Sequence, residues 1–519
     1  MGIGIDFGTT NSAAIFSRTD GTLIPGVRDK GGDGQRPKPD SSKVWVRNDG
    51  AAVYSLLPPN PATFSLIRKL KWYLGNQPEI ALDGRSHNAM NLSTGYLRWI
   101  RDELAGSVGG EIGAPNIAAV ASVPNKSWPG YRRMLRGCLQ EAGFRSVRLV
   151  YEPTAAAVAC LHEAGAFHNP AKYAGPVLVI DWGGGTVDVS LLELKSNRTL
   201  VDINTASMES GLGGGDMDEW LAMAAAREKP GMEMAWANLS LGDRNALLDR
   251  IERFKIRAFD EFDMGRSLNP EEILVSGTGG QTITLTHELV RDCVNYFSQK
   301  VQEIALKATM AAGLASDDVR YKILVGGPFQ SDFVRNNTSF RAWPHARTLS
   351  HQFGAQLATA AGCALLARSN FDLLLGCDIG VMEADGGFFK VANRNERLPS
   401  DEFETKIVLA GQQFDMTDLT CSHAIFEFAR TSGRNGQDKI VPIGMAQVPV
   451  SHTIAFGVMP FSPMLEKATL DCDLNFNVTL RGILGGVENL GPVADDLIKT
   501  SKQYDCLPLK LHLPNWFGA

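Results

Sequence analysis

The sequence predicts an α/β domain built from two similar halves, followed by an all-β domain. Three observations carry this. Two Gly-rich turns, DFGTTNS at 6–12 and DWGGGTVD at 181–188, each follow a short apolar run and lead into a second β-like run. Up to about residue 368, short β runs alternate with helical stretches, the pattern of an α/β domain with insertions. Beyond residue 380, apolar and polar residues alternate in short runs (388–391, 405–409, 424–428, 448–455, 474–480), and helical periodicity is nearly absent.

The chain of 519 residues exceeds what one core holds and predicts about two to four domains. With 44% hydrophobic and 21% charged residues it reads as an ordinary soluble globular protein. A net charge of −6 and the lack of a long basic run argue against a nucleic-acid partner. The basic cluster Arg132, Arg133 and Arg136 reads as a solvated helix face. Eight scattered cysteines without a Cys-x-x-Cys pair predict reduced structural thiols in a cytoplasmic setting, and nine histidines show no ligand spacing. Met1-Gly2 leads straight into a strand, so no signal peptide is expected, and Asp6 stands where a myristoylation signal wants Ser or Thr. No apolar stretch approaches the ~20 residues of a membrane span.

Taken in order, Ile3-Gly4-Ile5 ends in Asp6, then turns through Gly8, Thr9, Thr10 and Asn11. An acid at a strand end can hold a hydrated metal, while Gly and Thr let N–H and hydroxyl groups approach phosphate oxygens. Residues 29–41 form a Gly/Pro-rich loop, and 128–143 a helix with Pro129 near its start and Gly143 at its end. VYEPTAAAVACL at 150–161 places Glu152 just before an Ala-rich, Pro-capped helix able to pack closely. The second hairpin follows, with Asp181, Gly183, Gly184, Gly185, Thr186 and Asp188, and the pair implies two half-domains holding one nucleotide between them.

GLGGGDMDEWL at 211–221 is another Gly-rich turn opening a helix. Helices over 244–262 and 288–313 flank a Thr-rich β segment near 273–286. ILVGGPFQSDFVR at 323–335 reads as strand, Gly-Gly turn and helix, bare backbone against which an adenosine could lie. No G-x-x-x-x-G-K-[ST] occurs, which argues against a Walker-type site, and DWGGGTVD runs into a strand rather than opening a helix, which argues against a dinucleotide fold.

These segments, with SVPNKSWPGYRRML and GCALLA at 362–367, closely resemble in their order the ATPase domain of the seventy-kilodalton heat-shock family, the DnaK-type chaperones. The resemblance implies an actin-like (duplicated ribonuclease-H-like) α/β ATPase domain over 1–368, a hydrophobic linker over 369–380 and a β-sandwich substrate- or partner-binding domain over 381–519. It implies ATP/ADP and Mg²⁺ as cofactors. Asp6, Asp181 and Asp188, with Glu152, would surround the metal largely through its waters. Thr9, Thr10, Gly183, Gly184, Gly185 and Thr186 would cradle the phosphates, and Lys71 falls where the family keeps its catalytic lysine. Gly213, Gly214, Gly326 and Gly327 would shape the nucleoside side, with Glu252 and Lys255 reaching ribose and base.

Pro124 and Arg132, with Glu152, match the relay of nucleotide state. Arg148 matches the arginine that signals to a J-domain co-chaperone and to the substrate domain. The DLLL stretch at 372–375 resembles the interdomain linker, whose docking would bury Leu373, Leu374 and Leu375. A nucleotide exchange factor and a peptide or protein client complete the implied partners. On the residues alone, Asp6 and Asp181 also fit turn acids, Lys71 a surface lysine, Arg132 and Arg148 solvated helix arginines, and DLLL buried core.

Departures from the family are also legible. Trp182 replaces a usual Leu and is expected in the core, as are Trp72, Trp128 and Trp516; Pro328, Gln330 and Phe259 change the nucleoside side. Asp385 falls where an apolar residue normally arches over the peptide, and about twenty residues after Lys499 are too few for a helical lid. The expected function is an ATP-hydrolysing chaperone-like switch. The alternative is a nucleotide-dependent subunit clamping one dedicated partner with slow or no hydrolysis. A small-metabolite kinase of the same superfamily shares the hairpins but not EPTAAAVA joined to DLLL and a β-only end.

Overall fold

The computed structural model describes the chain except residues 29–36, 48, 56, 58–59, 61–62, 110–117, 209–210, 277, 279, 383–386, 401–405, 409–411, 414–422, 433–438, 450–463, 482–486, 493–506, 516 and 518–519. Asp385, Trp516 and the segment expected to lack a lid fall outside the described residues, wholly or in large part.

Two sheets have the same plan. In the first, the strands Gly2–Asp6 and Asn11–Ser17 form an antiparallel hairpin, with Asp6 opposite Ala13. Ala118–Val123 runs parallel to Gly2–Asp6, Arg145–Tyr151 parallel to that, and Leu23–Pro25 antiparallel on the far side. In the second, Gly175–Trp182 and Val187–Leu194 form the hairpin, with Asp181 opposite Asp188. Tyr321–Val325 and Arg347–Leu349 follow in parallel on one side, and Thr199–Met208 antiparallel on the other. The duplication expected from the two turns is thus repeated in strand order and direction.

The helices Glu152–Glu163 and Ala358–Ala367 pack against each other between these sheets. Their small side chains set the distance: a Cβ at Gly362 would strike the carbonyl oxygen of Ala155, and one at Gly4 would strike the backbone of Ala360 and Ala364. That close approach is what the alanine-rich sequence provides for.

The expected helices appear as Pro129–Glu141, Leu241–Asp263 and His287–Ala311. Among the described residues no helix follows Ala358–Ala367. The remainder is β: Ile379–Met382 lies between Phe388–Ala392 and His423–Ser432, which pairs with Lys439–Pro449. A second sheet joins Lys406–Val408, Met464–Leu470, Phe476–Arg481 and Val487–Pro492. Phe428 and Phe476 stack at 4.2 Å and tie the two sheets together.

Several expectations need correction. Asp372–Leu375, expected as a hydrophobic linker whose docking would bury its three leucines, is a strand in which only Leu375 is fully buried, Leu373 and Leu374 being half-buried. Leu509–His512, expected in the second domain, instead pairs with Thr199–Met208 and completes the second-half sheet, with Asp372–Leu375 as the edge strand beyond it. Leu507, Leu509, Leu511 and Leu513 alternate along this stretch and all are buried, which makes it a strand, while the partner sheet is set by the tertiary structure. Trp72 is 46% exposed, because its short helix turns Leu70, Lys71 and Leu74 inward instead. The core of the first half continues without a break into Leu375, Ile379, Phe428, Phe476 and Leu507 of the β-rich unit.

Candidate functional site

The two hairpin turns face each other. A Cβ at Gly184 would collide with the Thr10 hydroxyl, and one at Gly185 would press on Thr9. Gly183 N–H donates to the Thr186 carbonyl at 3.0 Å, closing the second turn. In the first, Gly8 N–H donates to Ser12 Oγ at 3.1 Å and the Gly8 carbonyl accepts from Ser42 Oγ at 2.8 Å, while Asn11 opens the following strand. A third Gly segment lies on the second turn: Gly214 and Gly215 N–H donate to the carbonyls of Gly183 and Gly184 at 2.9 and 2.8 Å. Gly213 caps the helix Gly214–Arg227 with its N–H on Asp216 at 2.7 Å. Gly326 sits at φ 101° with no room for a Cβ beside the Trp182 backbone, and Gly327 follows it. Trp182 is buried, its Nε1 donating to the Leu212 carbonyl at 2.7 Å and its ring edge-on to Phe329.

The charged groups converge behind these turns. The Lys71 ammonium is buried and paired directly with Glu152, at the first position of its helix, where the helix dipole also favours a carboxylate. Burial alone would lower the Lys71 pKa; Glu152, Tyr131 and Asp6 reverse this and hold it above its ordinary value. Asp6 accepts from Ser122 Oγ at 2.7 Å and is pushed up to about 6, by burial first and by Glu152 second. Asp181 is raised well above its ordinary value by burial and by the charges of Glu152, Asp6 and Asp188. Asp188 accepts from Thr186 Oγ1 at 3.1 Å.

Among the described residues four carboxylates, Asp6, Glu152, Asp181 and Asp188, thus cluster here with Lys71, which pairs directly with Glu152. That surplus of negative charge is the donor set a hard divalent cation matches. Among the described residues no three acidic, imidazole or thiol groups converge to ligate a metal directly.

Glu252 and Lys255, expected at the ribose and base, are both buried in ion pairs, and those of Glu252 bridge the halves. Lys43 contacts Glu252 and Asp249 at 2.8 and 2.6 Å, and Arg68 contacts Asp218 and Glu252 at 2.9 and 3.3 Å. Lys255 contacts Asp218 and the Gly214 carbonyl, both at 2.6 Å. Phe259 is buried on the same helix.

The residues expected to relay nucleotide state are Pro124, Arg132 and Arg148. Pro124 follows the strand Ala118–Val123 and accepts from Ser127 N–H at 3.0 Å. Arg132 is 1% exposed, with Ser127 Oγ at 3.5 Å and the Tyr151 ring at 5.8 Å. The basic cluster is thus no solvated face where Arg132 and Arg136 are concerned, because the β-rich unit covers that helix. Arg148 lies on a strand, not a helix; it donates to the Phe371 carbonyl at 2.9 Å and sits 3.6 Å over the Phe371 ring, just before the DLLL strand.

Sequence reasoning assigned Arg136 no role of its own. It grips Asp473, which the loop between Met464–Leu470 and Phe476–Arg481 presents, with contacts of 2.8–3.2 Å. Asp471 shapes that loop by accepting the N–H groups of Asp473 and Asn475, each at 2.9 Å. The six described cysteines are buried free thiols. Among the described residues no helix is long and apolar enough to cross a membrane.

Comparison with known proteins gives a consistent answer. The profile of a family described as Hsp70 protein matches residues 76–441. The chain is 26% identical to the chaperone protein DnaK of Methanothermobacter thermautotrophicus over 89% of its own length and 77% of that protein's. For the Thermoplasma volcanium DnaK the figures are 28%, 64% and 53%, and for the Thermotoga petrophila DnaK 26%, 76% and 66%.

Proposed function

The chain belongs to the Hsp70 family, and from that premise we propose that it binds and hydrolyses ATP between its two hairpin turns and passes the nucleotide state to its β-rich unit, which holds a peptide or protein client. In this reading the two matching sheets are an actin-like pair, residues 1–368 with Leu509–His512 make up the ATPase, and the β-rich unit is a sandwich. The observation that carries it is the Lys71–Glu152 pair, buried between Asp6, Asp181 and Asp188.

Thr9, Thr10, residues 183–185 and Thr186 would bind the phosphates through N–H and hydroxyl groups. Asp6, Asp181 and Asp188, with Glu152, would hold hydrated Mg²⁺, which when bound neutralises phosphate charge. Lys71, kept protonated by Glu152, would steady the γ-phosphate and orient the attacking water, the positioning and charge stabilisation on which phosphoryl transfer depends. Gly213, Gly214, Gly326 and Gly327 would shape the nucleoside side, with Glu252 and Lys255 fixing its walls. Pro124, Arg132 and Arg148 would relay the state toward residues 373–375, and a J-domain protein and an exchange factor would act on the cycle.

The test is single-turnover ATP hydrolysis by purified protein with and without Mg²⁺. Turnover that requires Mg²⁺ supports the reading, and failure to bind any nucleotide overturns it.

A further inference from the structure

The short helix Leu70–Asn76, which carries Lys71, packs against the start of Pro129–Glu141. Trp128 Nε1 donates to the Gly75 carbonyl at 3.3 Å. The Tyr131 ring lies so close to Gly75 that a Cβ there would stand 3.3 Å from it. Gly75 comes four residues after Lys71, so the two share one face of their helix. Tyr131 is thus placed within about one helical turn of the buried ammonium.

Tyr131 is 5% exposed and its hydroxyl is enclosed, yet among the described residues that hydroxyl has no hydrogen-bond partner. Burying an unpaired hydroxyl is costly, and such a group in a native core calls for an explanation. Its electrostatic neighbours supply one. Lys71, Glu152 and Asp6 all act on the phenol, and the phenol acts on Lys71 more strongly than Asp6 does.

We propose that Tyr131 is a further catalytic residue, whose hydroxyl donates a hydrogen bond to an oxygen of the nucleotide's terminal phosphoryl group beside Lys71. This rests on the reading of the hairpin site as a site of ATP hydrolysis.

The surroundings call for such a donor. The carboxylates of Asp6, Glu152, Asp181 and Asp188 repel a phosphate, and the Lys71 ammonium is shared with Glu152. A phenol adds a donor without adding charge. Burial raises its pKa above the ordinary value, so it keeps its proton and transfers none. Its ring is already held against Gly75, so little reorganisation is needed when the phosphoryl oxygen arrives. The bond would strengthen as negative charge develops on that oxygen, and forming it removes the cost of the unpaired hydroxyl.

The test compares the unmodified protein with Tyr131→Phe, which keeps the ring on Gly75 and removes only the oxygen. Without nucleotide, the variant is expected to unfold at the same urea concentration or a higher one, because a buried unpaired oxygen has gone. ADP affinity, measured by titration with Mg²⁺, is expected to change by less than about twofold, since the proposed bond is to the phosphoryl group that ADP lacks. ATP affinity, read from stopped-flow binding before turnover, is expected to fall at least about threefold. The single-turnover rate at saturating ATP is expected to fall about tenfold.

A lowered urea midpoint without nucleotide would show that the hydroxyl already holds the fold, and overturns the proposal. Equal ATP affinity and equal single-turnover rates would leave the hydroxyl to a bound water, and also overturn it. If both proteins bind ADP alike and these differences are missing, Tyr131 alone is dismissed and the proposed function stands. If the unmodified protein binds no nucleotide, the proposed function fails and this role fails with it.

Discussion

Arg136 and Asp473, 337 residues apart in sequence, form a forked ion pair with side chains only 4% and 8% exposed. The pair closes the contact between the helix Pro129–Glu141 and the loop following Met464–Leu470. Removing one partner strands a buried charge, whose cost exceeds the net worth of the pair. Arg136→Ala is therefore expected to destabilise the docked arrangement by about 3–5 kcal/mol. Asp473→Ala added to it should restore part of that loss. Urea unfolding of both single variants and the double variant measures the coupling; additive losses would show that the pair is not coupled.

At the hairpin site, Lys71 is ion-paired with Glu152, which chiefly keeps it protonated. Lys71→Ala should lower single-turnover hydrolysis by about a hundredfold or more, the range for losing a positioned charge at a reacting centre. Nucleotide affinity should change little, since N–H groups and hydroxyls make most of the phosphate contacts proposed. Normal turnover in the variant would remove Lys71 from the chemistry.

The bridge between the halves makes a kinetic prediction. Lys43 and Arg68 both contact Glu252 from the opposite half. Glu252→Gln weakens both contacts together and should speed nucleotide dissociation by about tenfold, equivalent to about 1.4 kcal/mol. Stopped-flow release of a fluorescent nucleotide reads this directly, and an unchanged rate would mean that the bridge does not limit opening.

His351 gives a pH dependence with a definite sign. It is buried, and burial chiefly, with nearby His162, lowers its pKa to about 4. In the unfolded chain it binds a proton near its ordinary pKa of 6.5. Its contribution to stability is present above pH 6.5 and is lost as pH falls from there toward 4. At pH 5 the loss should be about 2 kcal/mol relative to pH 7.5. His351→Asn should show a correspondingly smaller drop in urea midpoint between those two pH values; an equal drop in both proteins would refute the assignment.

Much of the candidate site was legible because its chemistry is local. An acid at a strand end and glycines at a turn declare themselves within eight residues, and the Asp6 and Asp181 hairpins fold as the sequence predicts. Glu152 and Lys71 were legible by motif, although their direct pairing was not. Arg136 was missed because an arginine on an amphipathic helix carries no mark of what will cover it. The alternating leucines at 507, 509, 511 and 513 were a period-two signal present in the sequence and read only as part of an all-β end.

By itself, then, the sequence determined the two hairpins, the close-packed alanine helices and the change to β structure near residue 370, since each depends on neighbours along the chain. Only the tertiary structure decided which sheet Leu509–His512 joins, that Glu252 pairs across the halves while Lys255 pairs with Asp218, and that Arg136 meets Asp473. Backbone geometry and periodicity act over a few residues, whereas the partner of a buried charge or of a strand edge is chosen by whatever the whole chain brings beside it.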